Sequence, residues 1–231
     1  MLGYIEEYYS EYSDNLFTVD ILCHGVTPTQ FFVDELNYLT KEYNIDSQKN
    51  ISFRNNRTKA PYKLCISFKN GRQYCRSYYE QPYYHGFLNG ITLRKSCYCC
   101  EFSRIERVAD LTIGDFIGLG TNPKFPEFRG EKKNISIVLV STEKGRELFR
   151  LASGKLNVFE RSIEEAKEVC PVMHGCVQIN KMAIKFRRKL VRNDAAVSIR
   201  STVKYRIAYN RIIKYANYIL RHLKVKEIKY L

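Results

Sequence analysis

The spacing of apolar residues along the first part of the chain predicts a strand followed by a helix. Residues 16–23 (LFTVDILC) form a short apolar run, which is typical of a strand buried on both faces, and Gly25 follows it. Across residues 31–43, apolar side chains recur at intervals of three and four, which predicts a helix. Thr27 or Thr29 is the predicted N-cap of this helix.

The middle of the chain predicts more strands and one hairpin. ISFRNN predicts a short strand, and Asn70-Gly71 lies between two alternating runs in KLCISFKNGRQYCRSY, a strong hairpin signal. Cys65 and Cys75 fall inside those two strands, so we predict that both are packing residues. ADLTIGDF and ISIVLVST predict two further strands, and the second leads into a helix over residues 143–152. The pattern therefore predicts an α/β fold, a mixed sheet with flanking helices.

Beyond residue 160 the pattern becomes helical and basic. Ser162 opens a short helix that Cys170-Pro171 ends, and two basic helices follow. In the last helix, apolar residues recur at steps of four and three, which predicts an amphipathic helix with its apolar stripe packed on the domain: Tyr205, Tyr209, Ile212, Ala216, Ile219 and Leu223. We therefore divide the chain into an α/β domain, residues 1–160, and a basic helical tail, residues 161–231.

The positive charge of the chain is concentrated in its C-terminal part. Residues 181–231 hold 15 Lys and Arg against 2 Asp and Glu, a net charge of +13, so the formal charge of +14 leaves +1 for the other 180 residues. Such a segment suits an anionic membrane surface, RNA or an acidic partner. Because the basic residues share a helix with a full apolar stripe, nucleic acid is the weakest of these, and a peripheral membrane contact through residues 181–231 stays open.

Two features indicate a cytoplasmic protein. No apolar run approaches the roughly 18 residues that a membrane-spanning helix needs. The first residues, MLGYIEEYYSEYSDN, are acidic and rich in tyrosine, unlike a signal peptide. In a reducing cytoplasm the eight cysteines are better suited to metal or redox chemistry than to disulfides.

Three cysteines fall within four residues in RKSCYCCEF. Cys97 and Cys100 form a C-x2-C half-site for a metal or cluster, although a redox dithiol or a structural role is also open. Cys23 in ILCHGV is a third candidate ligand because it ends a predicted strand, where α/β sheets expose functional groups. A rival completion would build a zinc site with Cys170, His174 and Cys176 of CPVMHGC.

Five short motifs in unbroken order resemble a known family. VDILCHGV, the FR of ISFRNN, GFLNGITLRKSCYCCEF, ADLTIGDFIGLG and ISIVLVSTEKG are very similar to the C-terminal domain of the coenzyme F420 hydrogenase/dehydrogenase beta subunit family, over about residues 15–150. The resemblance implies an FAD-dependent, iron–sulfur oxidoreductase. It would pass electrons between a 4Fe-4S cluster and a two-electron carrier or substrate. Many bacterial members of this family are associated with polysaccharide biosynthesis and pyruvyl transfer.

The resemblance also implies roles for individual residues. Cys23 matches the family's CHG cysteine, and Cys97 and Cys100 match its S-C-x-x-C, so these three are the expected cluster ligands. The expected flavin-binding residues come from the F-R pair, the Gly-Asp turn and the strand-to-helix turn: Phe53, Arg54, Thr112, Gly114, Asp115, Ser136, Thr142 and Lys144. Arg54 would pair with phosphate or with the negative charge of a reduced flavin.

The chain also departs from the family pattern. The family's ferredoxin-like segment and G-T-P-C-Q motif would precede this chain, so the fourth cluster ligand is not identified. Cys99, Cys170, Cys176 or a partner are candidates, and Ile117 replaces the family's tryptophan. Two hypotheses follow. One is an oxidoreductase module served by a redox partner or by the missing ferredoxin-like segment. The alternative is a truncated, non-catalytic or zinc-binding scaffold that docks through its basic tail.

Overall fold

The computed structural model describes residues 15–44, 48–54, 62–117, 119, 135–223 and 228–229. The described residues fall into two compact units. Unit 1 holds the residues up to His24 together with Cys99–Val177, and unit 2 holds Gly25–Tyr98 together with the residues from Gln178 onward. Each unit is thus assembled from two separate stretches of chain. The acidic N-terminal stretch and most of the residues after 223 lie outside the described ranges.

Six strands and six α-helices occur in the described residues. In chain order they are β1 (Val19–Ile21), α1 (Thr29–Tyr43), β2 (Gln48–Arg54), β3 (Tyr62–Phe68), β4 (Gln73–Ser77), α2 (Pro82–Leu88), β5 (Leu111–Asp115), β6 (Ser136–Val140), α3 (Glu143–Ser153), α4 (Ile163–Val169), α5 (Lys181–Leu190) and α6 (Ala195–His222). This content confirms the predicted α/β class. Residue 160 lies inside unit 1, and the predicted domain division there stays a prediction.

Unit 1 contains a small mixed sheet with β5 in its centre. β5 runs parallel to β1 and antiparallel to β6. The strand starts with buried side chains at Leu111 and Thr112 and ends at the exposed Asp115. The core of the unit is a buried cluster formed by Leu22, Ile137, Ala166, Cys170 and Met173. The first two residues of β5 are therefore buried, whereas the end of the strand reaches solvent.

Two helices of unit 1 begin where side-chain caps predict. The Thr142 hydroxyl accepts a hydrogen bond from the Gly145 amide at the start of α3, and the Ser162 hydroxyl accepts one from the Glu165 amide at the start of α4. Both hydroxyls satisfy amides that have no partner within their own helix. The predicted starts of these helices are confirmed.

Unit 2 contains an antiparallel sheet with the order β2-β3-β4. The hairpin between β3 and β4 is confirmed, and Gly71 in its turn has a φ of 83°. Leu64, Ile66 and Phe68 alternate along β3 and pack with Leu39 of α1 in one buried cluster. The period of two along the strand thus decides which side chains enter the core.

The structure corrects the expectation for Cys65 and Cys75. The two residues oppose each other in the β3–β4 register and are joined by a disulfide, with their Cα atoms 4.1 Å apart. Packing roles are the usual expectation because thiols are mostly reduced in the cytoplasm. That expectation considers each strand separately, whereas the register places both side chains on the same face of the sheet.

The helices of unit 2 form a second buried cluster around α6. Ile91 packs there with Phe186 of α5 and with Ile199, Val203 and Ile207 of α6. The apolar stripe predicted to face the core of the domain, from Tyr205 to Leu223, is instead largely exposed. That prediction is wrong.

A search for apolar positions does not find the buried face of α6, because two residues of this face are polar. Asn210 and Asn217 are fully buried beside the aliphatic residues of this face. Asn210 donates to the Tyr79 carbonyl at 2.9 Å, and Asn217 exchanges two hydrogen bonds with the Ile228 backbone. A buried asparagine whose hydrogen bonds are satisfied costs little, so it can take a core position.

The expected N-cap of α1 is also corrected. The helix begins after Pro28 without a side-chain cap. The Thr27 hydroxyl lies 3.3 Å from the Thr92 hydroxyl, so its polar group is used away from the helix start. None of the helices within the described ranges is long and apolar enough to cross a membrane.

Candidate functional site

Cys97 lies on a short 3₁₀ helix, Lys95–Cys99, at the end of the first stretch of unit 2. Its sulfur accepts a hydrogen bond from the Val26 amide at 3.3 Å, and the Arg94 amide donates to the Val26 carbonyl at 2.8 Å. These bonds hold the sulfur in place and satisfy backbone groups of both segments. The backbone of the CHGV motif is thus bonded directly to the cysteine of the SCYCC motif.

The neighbouring Tyr98 anchors this 3₁₀ helix. Its hydroxyl donates to the Gly90 carbonyl at 2.7 Å. The Arg187 guanidinium of α5 lies over the Tyr98 ring, 5.2 Å from its centroid, and donates to the Leu93 carbonyl at 2.8 Å. Two contacts beyond its own backbone therefore fix the segment that carries Cys97. Arg187 is not among the residues that the sequence singles out.

In unit 1, Arg107 holds backbone segments in place, as Arg187 does in unit 2. Its guanidinium donates to the Ile21 carbonyl at 2.9 Å and to the Phe102 carbonyl, and it forms an ion pair with Asp20 at 3.1 Å. The side chain is only 6% exposed, so these contacts are made in a partly desolvated position. Ile21 precedes Cys23 by two residues, and Phe102 follows Cys100 by two. Arg107 therefore ties together the two backbone segments that carry these cysteines.

The three expected cluster ligands are distributed over the two units. Cys23 and Cys100 belong to unit 1, and Cys97 belongs to unit 2. None of the three forms a disulfide; Cys23 is exposed and the other two are half-buried. Among the described residues, no group of three or more His, Cys, Asp and Glu side chains is placed to hold a metal ion. The ligand set stays a prediction.

The alternative ligands in CPVMHGC lie in unit 1. Cys170 is fully buried, and its sulfur lies 3.9 Å from the Asp115 carbonyl. Burial raises the pKa of the Cys170 thiol, which opposes the thiolate that a metal requires. His174 directs Nε2 at the Lys167 carbonyl. Both side chains thus make contacts within their own unit.

A buried carboxylate, Asp110, organises the start of the strand-to-helix turn in unit 1. It accepts hydrogen bonds from the Thr18 amide at 2.8 Å, from the Thr18 hydroxyl at 2.7 Å and from the Thr142 hydroxyl at 2.5 Å. Burial raises the pKa of Asp110, but the bonds from Thr142 and Thr18 and the nearby Lys144 charge outweigh it, and the net pKa lies below its usual value. No local signal indicates this network, since Thr18 lies 92 residues from Asp110.

Two glycines of the family motifs are required by close packing. A Cβ on Gly145 would lie 2.2 Å from the Asp110 carbonyl oxygen, a backbone atom that has little freedom to move. A Cβ on Gly114 would lie 2.7 Å from the Leu22 Cβ. Both positions therefore have room for glycine but not for a larger residue, because neighbouring atoms of unit 1 pack closely against them.

The residues expected around the flavin phosphate are engaged within the protein. Thr142 donates to Asp110 and caps α3, and the Lys144 ammonium donates to the Leu16 carbonyl at 2.9 Å. Ser136 and Asp115 are exposed at paired ends of β6 and β5. Thr112 is fully buried, and its hydroxyl has no hydrogen-bond partner in the described part of the chain. The flavin roles stay predictions.

Phe53 and Arg54 lie at the end of β2, in unit 2. The Phe53 ring is 36% exposed and packs against Phe32, Tyr83 and Tyr84, with centroids 5.2 to 6.5 Å apart. The Arg54 guanidinium is 5.4 Å from the centre of the Tyr62 ring. This aromatic surface with a cation beside it has the chemistry that a planar anionic ligand requires.

A second buried carboxylate, Glu35, connects three elements of unit 2. It accepts from the Gln81 amide at 2.6 Å and from both terminal nitrogens of Arg200, at 2.6 and 2.8 Å. The Arg200 guanidinium also lies 3.5 Å from the centre of the Tyr38 ring. Burial raises the pKa of Glu35, although Arg200 and Gln81 favour its ionised form. Sequence reasoning misses this network as well.

An open cleft of about 370 Å³ lies in unit 2 between α5 and α6. Asn89, Ile91, Asn180, Lys181, Met182 and Arg206 line it. Nearby in the sequence, His85 is fully buried, and burial together with the Arg206 charge lowers its pKa to about 4. His85 is therefore neutral at physiological pH. None of the residues predicted for a cofactor lines this cleft.

Comparison with protein families gives a match over most of the chain. The model of the C terminus of the coenzyme F420 hydrogenase/dehydrogenase beta subunit matches residues 4–166. This range contains the three expected cluster cysteines and the eight expected flavin-binding residues. The resemblance that was recognised from the five motifs is confirmed.

Two further comparisons concern individual proteins. A chain of the F420-reducing NiFe hydrogenase complex from Methanosarcina barkeri is similar at 17% identity and a TM-score of 0.34, over 91% of this chain and 58% of that one. Our chain thus spans little more than half of that protein. A search of curated proteins gave no match.

Proposed function

The chain belongs to the family defined by the C-terminal domain of the coenzyme F420 hydrogenase/dehydrogenase beta subunit, and we propose on this premise that it is the electron-transferring module of an iron–sulfur flavoprotein oxidoreductase. The module binds FAD and a 4Fe-4S cluster. It exchanges electrons with a two-electron carrier or substrate. The pathway we propose for it is bacterial polysaccharide biosynthesis, from the resemblance of its motifs.

The observation that carries this proposal is the position of Arg107. Its guanidinium binds one carbonyl two residues before Cys23 and another two residues after Cys100. These are two of the three cysteines that the family motifs give as cluster ligands. Since Arg107 is nearly buried and paired with Asp20, the tie is a fixed part of unit 1.

The chemistry of the thiols fits a cluster. Cys23, Cys97 and Cys100 form no disulfide, and none of them is fully buried. Thiolates are the usual ligands of iron–sulfur clusters. The Val26 amide donates to the Cys97 sulfur, and hydrogen bonds to such sulfurs influence a cluster's reduction potential. The fourth ligand would come from Cys99, Cys176 or a partner, because burial opposes ionisation of Cys170.

The residues proposed for FAD are supported by their chemistry. Phe53 offers a half-exposed ring and Arg54 a cation for the negative charge of a reduced flavin or its phosphates. Thr112 offers a buried hydroxyl at the centre of the unit 1 sheet. A cluster exchanges single electrons and a flavin exchanges one or two, so together they connect one-electron and two-electron carriers.

A partner protein completes the proposed electron path. It is a redox partner, or the ferredoxin-like segment that precedes this domain in the family.

The first experiment is an anaerobic purification of the chain followed by a visible spectrum, with iron, sulfide, flavin and zinc measured on the same sample. We expect bound flavin together with iron and sulfide. Cys23→Ser, Cys97→Ser and Cys100→Ser should each remove most of the iron, because each removes a thiolate ligand. The Cys65→Ser/Cys75→Ser double variant is the matched control, since it removes two cysteines from a hairpin that has no proposed ligand.

Two results would contradict the proposal. A colourless protein that contains stoichiometric zinc would support the alternative of a zinc-binding scaffold. Iron that is retained by all three serine variants, or lost equally from the hairpin control, would remove these cysteines from the ligand set. If neither result is obtained, Cys99→Ser and Cys176→Ser identify the fourth ligand by the iron that each variant loses.

A further inference from the structure

The outer side of α6 carries an apolar stripe that the protein leaves in solvent. Tyr205, Tyr209, Ile212, Ile219 and Leu223 recur at the period of the helix and are between 44% and 74% exposed. At 1.5 Å per residue the stripe is about 27 Å long. Isolated exposed apolar residues are ordinary, but a continuous stripe of this length marks an interaction surface.

A second stripe runs beside the first, displaced by one residue. It combines basic, aromatic and small side chains at steps of four and three, and all its members are exposed: Lys204, Ala208, Arg211, Tyr215, Tyr218 and His222. The Lys204 ammonium lies 5.0 Å from the centre of the Tyr205 ring, so the two stripes are in contact. We call the two stripes together the outer face of α6.

The charge of this helix is of one sign. From Ala195 to His222 the sequence has six Lys and Arg and no Asp or Glu; Arg200 is paired with Glu35 and Lys214 with Glu80, and the outer face itself holds Lys204 and Arg211. Helix α5, immediately before it, is also basic and without acidic residues in KMAIKFRRKL. The outer face thus carries positive charge and no acidic residue, which favours an anionic occupant. A second copy of the same face would bring like charges together, which is unfavourable.

An anionic lipid surface offers negative charge for the basic residues and an apolar phase for the exposed stripe, along the whole length of the helix. Its headgroup layer offers negative charge, and the acyl boundary directly below offers an apolar phase for Ile212, Ile219 and Leu223. Tyrosine is enriched at this boundary because its ring is apolar and its hydroxyl remains hydrated. A nucleic acid would neutralise the basic residues but would leave the aliphatic stripe without a partner.

We propose that the outer face of α6, from Tyr205 to Leu223, seats the protein on the surface of an anionic lipid bilayer. The helix lies parallel to the surface, because its opposite face, with Ile199, Val203 and Ile207, is packed in the core of unit 2. Binding is peripheral and reversible, since only the outer half of one helix enters the interface. This role is independent of the electron transfer proposed above.

The test is co-sedimentation of the full chain with vesicles of phosphatidylcholine alone and with vesicles that contain about one third phosphatidylglycerol. We expect binding to the anionic vesicles that weakens as salt is raised, and little binding to the neutral ones. The Ile212→Gln/Ile219→Gln/Leu223→Gln variant should lower the partition coefficient about tenfold or more, because it removes the apolar contact. Lys204→Gln/Arg211→Gln should lower it less and reduce its dependence on salt.

Matched controls separate this face from general surface properties. Leu151→Gln/Leu156→Gln/Val191→Gln removes three apolar residues outside α6 that are all more than half exposed, and Lys41→Gln/Lys49→Gln removes two exposed positive charges elsewhere. Both controls should bind like the wild type. Far-UV circular dichroism verifies that every variant retains its helices.

Three results would overturn the proposal. The first is equal binding to neutral and anionic vesicles, and the second is a triple glutamine variant that binds like the wild type. The third is a wild-type protein that stays in the supernatant with both kinds of vesicle, which assigns the face to a protein. Sedimentation velocity then identifies that protein as a second copy if the wild type is a dimer and the triple variant a monomer.

Discussion

The two units each contain a buried carboxylate, and burial raises the pKa of both, but the net pKa shifts of the two are opposite. Asp110 of unit 1 is 4% exposed and accepts its bonds from uncharged donors of Thr18 and Thr142, whereas Glu35 of unit 2 is 0% exposed and accepts from Arg200 and Gln81. The pKa of Asp110 is lowered and that of Glu35 is raised. The Arg200 guanidinium thus does not offset the effect of burial on the pKa of Glu35. At Asp110, the hydrogen bonds from Thr142 and Thr18 together with the Lys144 charge outweigh the effect of burial.

Among the variants that test this comparison, we expect the largest change in the free energy of unfolding from breaking the ion pair of unit 2. Glu35→Ala leaves Arg200, whose side chain is 19% exposed, without its carboxylate partner, and we expect the free energy of unfolding to fall by about 3–5 kcal/mol. Urea unfolding followed by far-UV circular dichroism measures it, since the chain has no tryptophan. The double variant Glu35→Leu/Arg200→Met should recover most of the loss. A double variant as unstable as Glu35→Ala would show that the pair itself stabilises unit 2.

A smaller effect is expected from the packing around Asp110. Gly145→Ala places a Cβ 2.2 Å from the Asp110 carbonyl oxygen, so the turn that holds the carboxylate must shift, at a cost of about 1–3 kcal/mol in the free energy of unfolding. Gly154→Ala at the other end of α3 is the control, because no atom lies within 4 Å of its added Cβ. The control should change stability by less than about 0.5 kcal/mol. Equal losses from the two variants would contradict the packing argument.

The smallest effect is a difference in pH dependence, and it tests the comparison most directly. Because the folded pKa of Glu35 is raised, the stability that this residue contributes is full below about pH 4.3 and falls as the pH rises through the folded pKa. Because the folded pKa of Asp110 is lowered, its contribution is full above about pH 3.9 and is lost as the pH falls through the folded pKa.

Two isosteric variants isolate these contributions. The free energy of unfolding of the wild type minus that of Glu35→Gln should fall with rising pH, and the same difference for Asp110→Asn should fall with falling pH. Urea unfolding at a series of pH values gives both differences. Slopes of the same sign for the two variants would refute the contrast between the units.

Local features of the fold could be predicted from the sequence, and contacts between distant segments could not. Asn70-Gly71 identified the hairpin, and Thr142 and Ser162 identified two helix starts, because each signal acts within four residues. The bond between Asp110 and Thr18 spans 92 residues, and the one between Glu35 and Arg200 spans 165. No local pattern encodes such pairs. The buried face of α6 was missed for a related reason, since Asn210 and Asn217 find their partners outside the helix.

The candidate site shows the same contrast between what sequence motifs indicate and what only contacts between distant segments determine. Cys23, Cys97 and Cys100 were named from motifs in the order of a family, and their role as ligands stays a prediction. The residues that hold these cysteine segments did not follow from any motif. Arg107 acts through two carbonyl groups and Val26 through its amide, and backbone groups leave no trace in a sequence pattern.

The assembly of each unit from two separate stretches has a consequence for synthesis on the ribosome. Arg200 is made 165 residues after Glu35, and at 5 to 20 residues per second this interval is about ten to thirty seconds. During that time Glu35 and Ile91 have neither Arg200 nor α6 to cover them. The nascent chain therefore presents an unpaired carboxylate and an apolar patch of the kind that holding chaperones bind, and unit 2 closes only when its last helix leaves the exit tunnel.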